Sequence, residues 1–200
     1  MSVPEEASMS EAGAIALTRR SLVRSFGLGS LVFMSGGTSL LLTPSEARAR
    51  QVSLRTLSAL EAETLDALGD TLLPGAAAAG LSHYVDQQIS GDPVNCLLIA
   101  RYLGVSEHFA DFYRKTLAAV DLEASRVWGK AFKDLSGEER IAFIKAMAPA
   151  PLANWTGPLP TPPTYLILRN DAVDVFYGTV EGFDRLEIPY MPHIEPQEKW

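Results

Sequence analysis

The sequence predicts an all-α fold: a single small helical domain with a proline-rich connection and an irregular apolar C-terminal arm. Three observations predict it. Apolar residues recur at spacings of three and four, most regularly between Phe109 and Val127. Ser-x-x-Glu capping boxes open two of the periodic stretches. No stretch shows the polar–apolar alternation of a half-buried strand, and no internal repeat is visible.

Ser58 and Glu61 form the first box: the serine hydroxyl accepts from the third backbone N–H while the glutamate reaches back. Leu65, Leu68 and Leu72 follow at helical spacing, and Pro74-Gly75 ends the helix. An alanine and glycine linker, 76–80, precedes a short helix expected to be capped by Ser82 and to run through Ile89. Asp92-Pro93 places an N-cap before a first-turn proline and predicts a helix carrying Cys96, Leu97, Ile99 and Leu103 to Gly104. Ser106 is expected to open the longest helix. Its apolar face is Phe109, Tyr113, Leu117, Val120, Ala124 and Val127, with Asp111, Arg114, Lys115, Glu123 and Arg126 mostly elsewhere around it.

Ser136 and Glu139 form the second box, ahead of Ile141, Phe143, Ile144 and Met147. Prolines at 149, 151, 158, 160, 162 and 163 predict a stiff, extended connection. The last helix is expected from Thr164 to Tyr177, stopping near Gly178. The tail, 179–200, has three prolines and no helical period, yet carries Phe183, Leu186, Ile188, Tyr190, Met191, Ile194 and Trp200. Such a segment buries its side chains on its own domain or on a partner. Phe183, Ile188, Tyr190, Met191, Ile194 and Trp200 are the docking candidates, because aromatic and methionine side chains are favoured interface anchors.

The N-terminus reads as an export signal. Thr18-Arg19-Arg20-Ser21-Leu22-Val23-Arg24 is followed by an apolar run from Ser25 to Leu42, then Pro44 and the small-x-small pattern Ala47-Arg48-Ala49. The pair Arg19 and Arg20 marks the twin-arginine type, with cleavage expected after Ala49. Gly27, Gly29, Gly36 and Gly37 weaken the run as a membrane helix. An uncleaved anchor and a chance arginine pair are the alternatives. On this reading residues 1–49 are the signal and 50–200 the helical domain, with 179–200 as its arm. The chain then leaves the cytoplasm by a route that carries folded proteins.

The formal net charge of −7 lies wholly in residues 50–200, because 1–49 hold four acids and four bases. An acidic chain without a basic run is poorly suited to nucleic acid, whose binding depends on neutralising phosphates. The single cysteine, Cys96, cannot form an internal disulfide or supply a zinc ribbon, an iron–sulfur cluster or a C-x-x-C-H haem attachment. It reads as a buried thiol. His83, His108 and His193 match no metal spacing such as H-E-x-x-H. There is no G-x-S-x-G elbow, no G-x-G-x-x-G and no P-loop. Asp66 and Asp70 share a helix face, which reads as solvated in the absence of a third ligand. No catalytic, cofactor-binding or metal-binding residue is assigned to this chain.

Four stretches stand in a set order: Leu65-Asp66-Ala67-Leu68-Gly69-Asp70-Thr71-Leu72-Leu73-Pro74-Gly75, Gly80-Leu81 through Tyr84-Val85-Asp86, Arg169 through Gly178, and Ile188-Pro189-Tyr190-Met191-Pro192-His193-Ile194. In these the chain resembles the gluconate 2-dehydrogenase subunit 3 family. The resemblance implies a non-catalytic small subunit of a membrane-associated, flavin-dependent sugar, sugar-acid or alcohol dehydrogenase. The partners it implies are a large FAD-containing catalytic subunit and usually a c-type cytochrome with haem c. The twin-arginine translocase is the further partner, and the periplasm, peripheral to the inner membrane, the expected location. In this family the small subunit carries the signal and helps the large one mature and travel. The competing reading is a stand-alone periplasmic enzyme or metal-binding protein, in which His83, His108, Asp66 and Asp70 converge.

Overall fold

The computed structural model describes residues 31–35, 37–105, 108–178 and 180–187. Arg19, Arg20, Ile188, Tyr190, Met191, Ile194 and Trp200, together with His193 and Ser106, lie outside the described residues. The described elements are a hairpin, β1 (Leu31–Ser35) and β2 (Thr38–Leu42), and seven helices. The helices are α1 (Pro44–Ala49), α2 (Ala59–Leu72), α3 (Leu81–Ile89), α4 (Phe109–Trp128), α5 (Gly137–Met147), α6 (Thr161–Tyr177) and α7 (Val180–Arg185). The fold is mainly α, as expected.

The main core gathers one face from each long helix. Leu65 and Leu68 of α2, Leu81 and Val85 of α3, Tyr113, Leu117 and Val120 of α4, Phe143 and Met147 of α5, and Ile167 and Leu168 of α6 are all buried in it. These positions recur at three and four because Cβ vectors at those spacings point to one side of a helix. Phe132 and Phe143 meet edge to face with centroids 5.1 Å apart, a geometry the ring quadrupoles favour. Both expected capping boxes are formed, Ser58 with Glu61 and Ser136 with Glu139. Helix α4 ends at Gly129, whose φ of 71° lies in the left-handed region that suits glycine.

Several expectations are corrected. Helix α3 is preceded by Gly80 at φ 92°, and Ser82 lies inside the helix. The cap is a backbone conformation only glycine adopts readily, and the Ser82 hydroxyl is engaged by Asp66. Asp92-Pro93 starts only a 3-10 turn, Pro93–Asn95, with a second at Ile99–Tyr102. Between them the chain is extended, and the buried Gln88 side chain takes the Leu97 N–H at 2.7 Å. Cys96 and Leu98 are buried while Leu97 between them is 61% exposed. That is the two-residue period of extended chain, hidden in an unbroken apolar run.

Helix α4 begins at Phe109 with His108 at its N-cap. Val127, expected on its buried face, is half exposed, and Glu123 is buried. Helix α6 starts at Thr161, three residues earlier than expected, because Pro162 and Pro163 sit in its first turn, where no intrahelical N–H is required. The start is tied down by Thr161, whose hydroxyl donates to the Ala150 carbonyl at 3.0 Å. Part of the arm expected to be irregular is the short helix α7.

The hairpin is the largest departure. Phe33 pairs with Leu40 and Leu31 with Leu42 in an antiparallel register. Phe33 is buried whereas Val32 and Met34 are exposed. The strand therefore alternates in burial without alternating in polarity, which is why the sequence concealed it. With α1 it forms a second, smaller core of Phe33, Leu42, Ala47 and Val52. Among the described residues no helix is long and apolar enough to cross a membrane.

Candidate functional site

Three groups of polar residues merit attention, and each is built by the helices just described. The first is the corner between α2 and α3. Asp66 on α2 accepts from the Ser82 N–H at 3.1 Å and from the Ser82 hydroxyl at 3.2 Å, and pairs with Arg48 of α1. Burial raises its pKa, and the Arg48 guanidinium works against that rise. Asp70, one turn on, accepts from the N–H groups of Gly75 and Ala77. Asp86 on α3 accepts from the N–H groups of Arg55, Thr56 and Leu57, each at 2.8 Å. The three aspartates thus satisfy backbone donors that the turns leave unpaired. Asp66 is half-buried at the junction rather than part of a solvated face, whereas Asp70 is exposed, as expected, while tying down the turn that follows α2.

The second group is inside the main core. The Tyr113 hydroxyl donates to Asp171 Oδ2 at 2.6 Å, and both residues are fully enclosed. Asp171 Oδ1 has no hydrogen-bond partner. Burial pushes the Asp171 carboxyl up to about 8, against the lowering effect of the tyrosine hydrogen bond. Burial also raises the Tyr113, Tyr84 and Cys96 pKa values. A carboxyl that keeps its proton in an enclosed apolar setting holds α4 against α6, and no open face lets a substrate reach it. The sequence carried a signal for it that composition alone obscures. Asp171 stands on the same stripe as Ile167, Ala172 and Val175, an acid among core positions.

The third group lines a groove of about 290 Å³ between α4 and the proline-rich connection, walled by Phe112, Pro158 and Leu159 with His108, Asp111 and Lys115 at its polar edge. Lys115 and Asp111 are one turn apart, 4.0 Å from each other and largely exposed.

His83, His108, Asp66 and Asp70 do not converge. His83 Nε2 is 3.0 Å from the Val52 carbonyl, and burial lowers its pKa. His108 belongs to the groove, Asp66 to Arg48 and Ser82, and Asp70 to its turn. Among the described residues no three His, Cys, Asp or Glu side chains stand close enough to share a metal ion. Cys96 is buried.

Of the residues read as export or docking positions, Ala47 and Ala49 lie in α1, Ala47 fully buried. Phe183 lies in α7, half buried. Additional exposed apolar side chains cluster in the 3-10 segment: Val94, Leu97 and Tyr102, the last with the Arg101 guanidinium over its ring.

No curated protein matches the chain, and no solved structure does either. A protein family does. The description Gluconate 2-dehydrogenase subunit 3 matches residues 59–193, which takes in every helix from α2 to α7 and the three aspartates of the corner. Covering more than half of the sequence, that match means that the chain belongs to the gluconate 2-dehydrogenase subunit 3 family, one subunit of a dehydrogenase complex.

Proposed function

We propose that this chain is the non-catalytic small subunit of a periplasmic, membrane-associated flavin-dependent dehydrogenase, and that it escorts the FAD-containing large subunit through twin-arginine export and stabilises it. The family match over residues 59–193 carries the reading. The arginine pair Arg19-Arg20 ahead of an apolar run supports the export half. For the non-catalytic half, each corner aspartate has a structural use: Asp66, Asp70 and Asp86 accept from backbone N–H groups, and Asp66 also pairs with Arg48.

On this reading FAD belongs to the large subunit and haem c to a cytochrome subunit. The apolar arm, Phe183 with Ile188, Tyr190, Met191, Ile194 and Trp200, is the docking element. Pull-down of the tagged full chain from periplasmic and membrane extract, with an absorption spectrum and mass identification, tests it. A co-purifying large flavoprotein, with or without a c-type cytochrome, is the expected result. Replacing Arg19 and Arg20 together by lysine should leave that flavoprotein in the cytoplasm. Normal export of the flavoprotein with that double variant would overturn the escort role.

A further inference from the structure

The Ala47-Arg48-Ala49 pattern has the composition of a signal-peptidase site, but its setting is that of a folded element. The three residues form the second half of α1, whose start is fixed by a capping box between Thr43 and Glu46. Ala47 has no exposed surface and joins Phe33, Leu42 and Val52 in the small core. Three of those four buried side chains lie on the N-terminal side of the expected cut.

This N-terminal lobe is also tied to the helical domain at three points, two of them N-terminal to the expected cut. Arg48 pairs with Asp66 of α2. Val52 offers its carbonyl to His83 of α3. The Pro44 carbonyl lies so close to Gly80 that a Cβ there would stand 2.2 Å from it. A peptidase reads small residues at its specificity positions from an extended strand, with each side chain free to enter a pocket. Here one of the two alanines is enclosed and both are helical, so cutting requires the helix to undock and unwind first.

From this geometry we infer that the bond between Ala49 and Arg50 stays intact in the working protein. Residues 31–49 are then a permanent part of its fold, and any cut that removes a leader lies N-terminal to Leu31. The inference rests on the export reading only for the occasion of cutting, and it requires α1 to be docked when the chain meets the peptidase. The retained segment precedes the family-matched region, which starts at residue 59. It is seated on α2 and α3.

Two measurements decide it. Purified full chain is treated with trypsin under native conditions, and cutting after Arg48 and Arg50 is timed against a synthetic peptide spanning residues 43–54. Cutting at both sites at least about tenfold slower in the chain is expected, since the bonds open only through local undocking. Equal rates would overturn the inference. Separately, the N-terminus of the chain is determined by intact mass in each cell fraction. A periplasmic chain that starts upstream of Leu31 is expected, and one that starts at Arg50 overturns the inference. A chain confined to the cytoplasm would refute the export reading instead, and the trypsin comparison would still decide whether the segment is docked.

Discussion

The main core and the N-terminal lobe of this protein are held by different means. Among the described residues, twenty-three buried ones make up the first and four the second. The helical core is self-sufficient: each long helix contributes an apolar face, and removing one contact leaves many others. The lobe of hairpin and α1 has too little apolar area to order itself alone, since an isolated two-stranded hairpin is marginal in water. It depends on polar and backbone contacts with α2 and α3, chiefly Arg48 to Asp66 and the close seat of Pro44 on Gly80. A large core thus tolerates local loss by redundancy, and a small lobe must be pinned at defined points.

The sharpest test of that contrast is a truncation in each core. Phe143→Ala removes a ring that is 1% exposed and packs on Phe132 and Trp128. It should cost about 4 kcal/mol of global stability in denaturant unfolding. Leu42→Ala, in the lobe, should leave the global midpoint nearly unchanged and speed tryptic cutting after Arg50. Equal losses of global stability would show that the two cores unfold as one unit.

The comparison extends to the buried carboxyls. Asp66, at the junction, has Arg48 as a counter-charge, whereas Asp171, in the main core, has only the Tyr113 hydroxyl. The folded chain holds a proton on Asp171 up to about pH 8, while the unfolded chain gives it up near the ordinary value of 3.8. Between those limits the folded state binds more protons, so this stabilisation is full below the unfolded pKa and lost as pH rises through the folded one. Stability should therefore fall by about 3 kcal/mol from about pH 5 to about pH 7 on account of this group. Asp171→Asn keeps an acceptor for Tyr113 and carries no charge, so its unfolding midpoint should vary far less with pH. A wild-type chain with no such slope would show that Asp171 finds a partner for its charge.

The smallest effect is expected at the seat between the regions. Gly80→Ala places a methyl group in a left-handed conformation and against the Pro44 carbonyl. The cost should be about 2 kcal/mol, felt as faster hydrogen exchange in α1 and the hairpin. Exchange that rises uniformly through α4 and α6 instead would place the strain in the main core.

Much of the helical fold was legible from residue patterns. Ser58 and Ser136 announced their helices because a capping box is local chemistry, complete within four residues. The face of α4 followed from the helical period from Phe109 to Ala124 and failed at Val127 and Glu123. The 3-10 segment at 93–102 was misread because Asp92-Pro93 starts either kind of helix, and a distant side chain, Gln88, decided between them. Asp66 was taken as solvated because its partners Ser82 and Arg48 are brought to it only by the turn between α2 and α3 and by the docking of α1.

The sequence by itself determined the helical class, two helix starts, the burial of Cys96 and the family to which residues 59–193 belong. Those properties depend on neighbours along the chain or on residue order. Tertiary structure alone decided that Leu31–Ser35 and Thr38–Leu42 pair as a hairpin and that the Ala-x-Ala stretch lies in a docked helix. It alone decided that Asp171 lies inside the core and that Gly80 must lack a side chain. Each of these depends on groups far apart in sequence, whose approach is set by packing rather than by local preference.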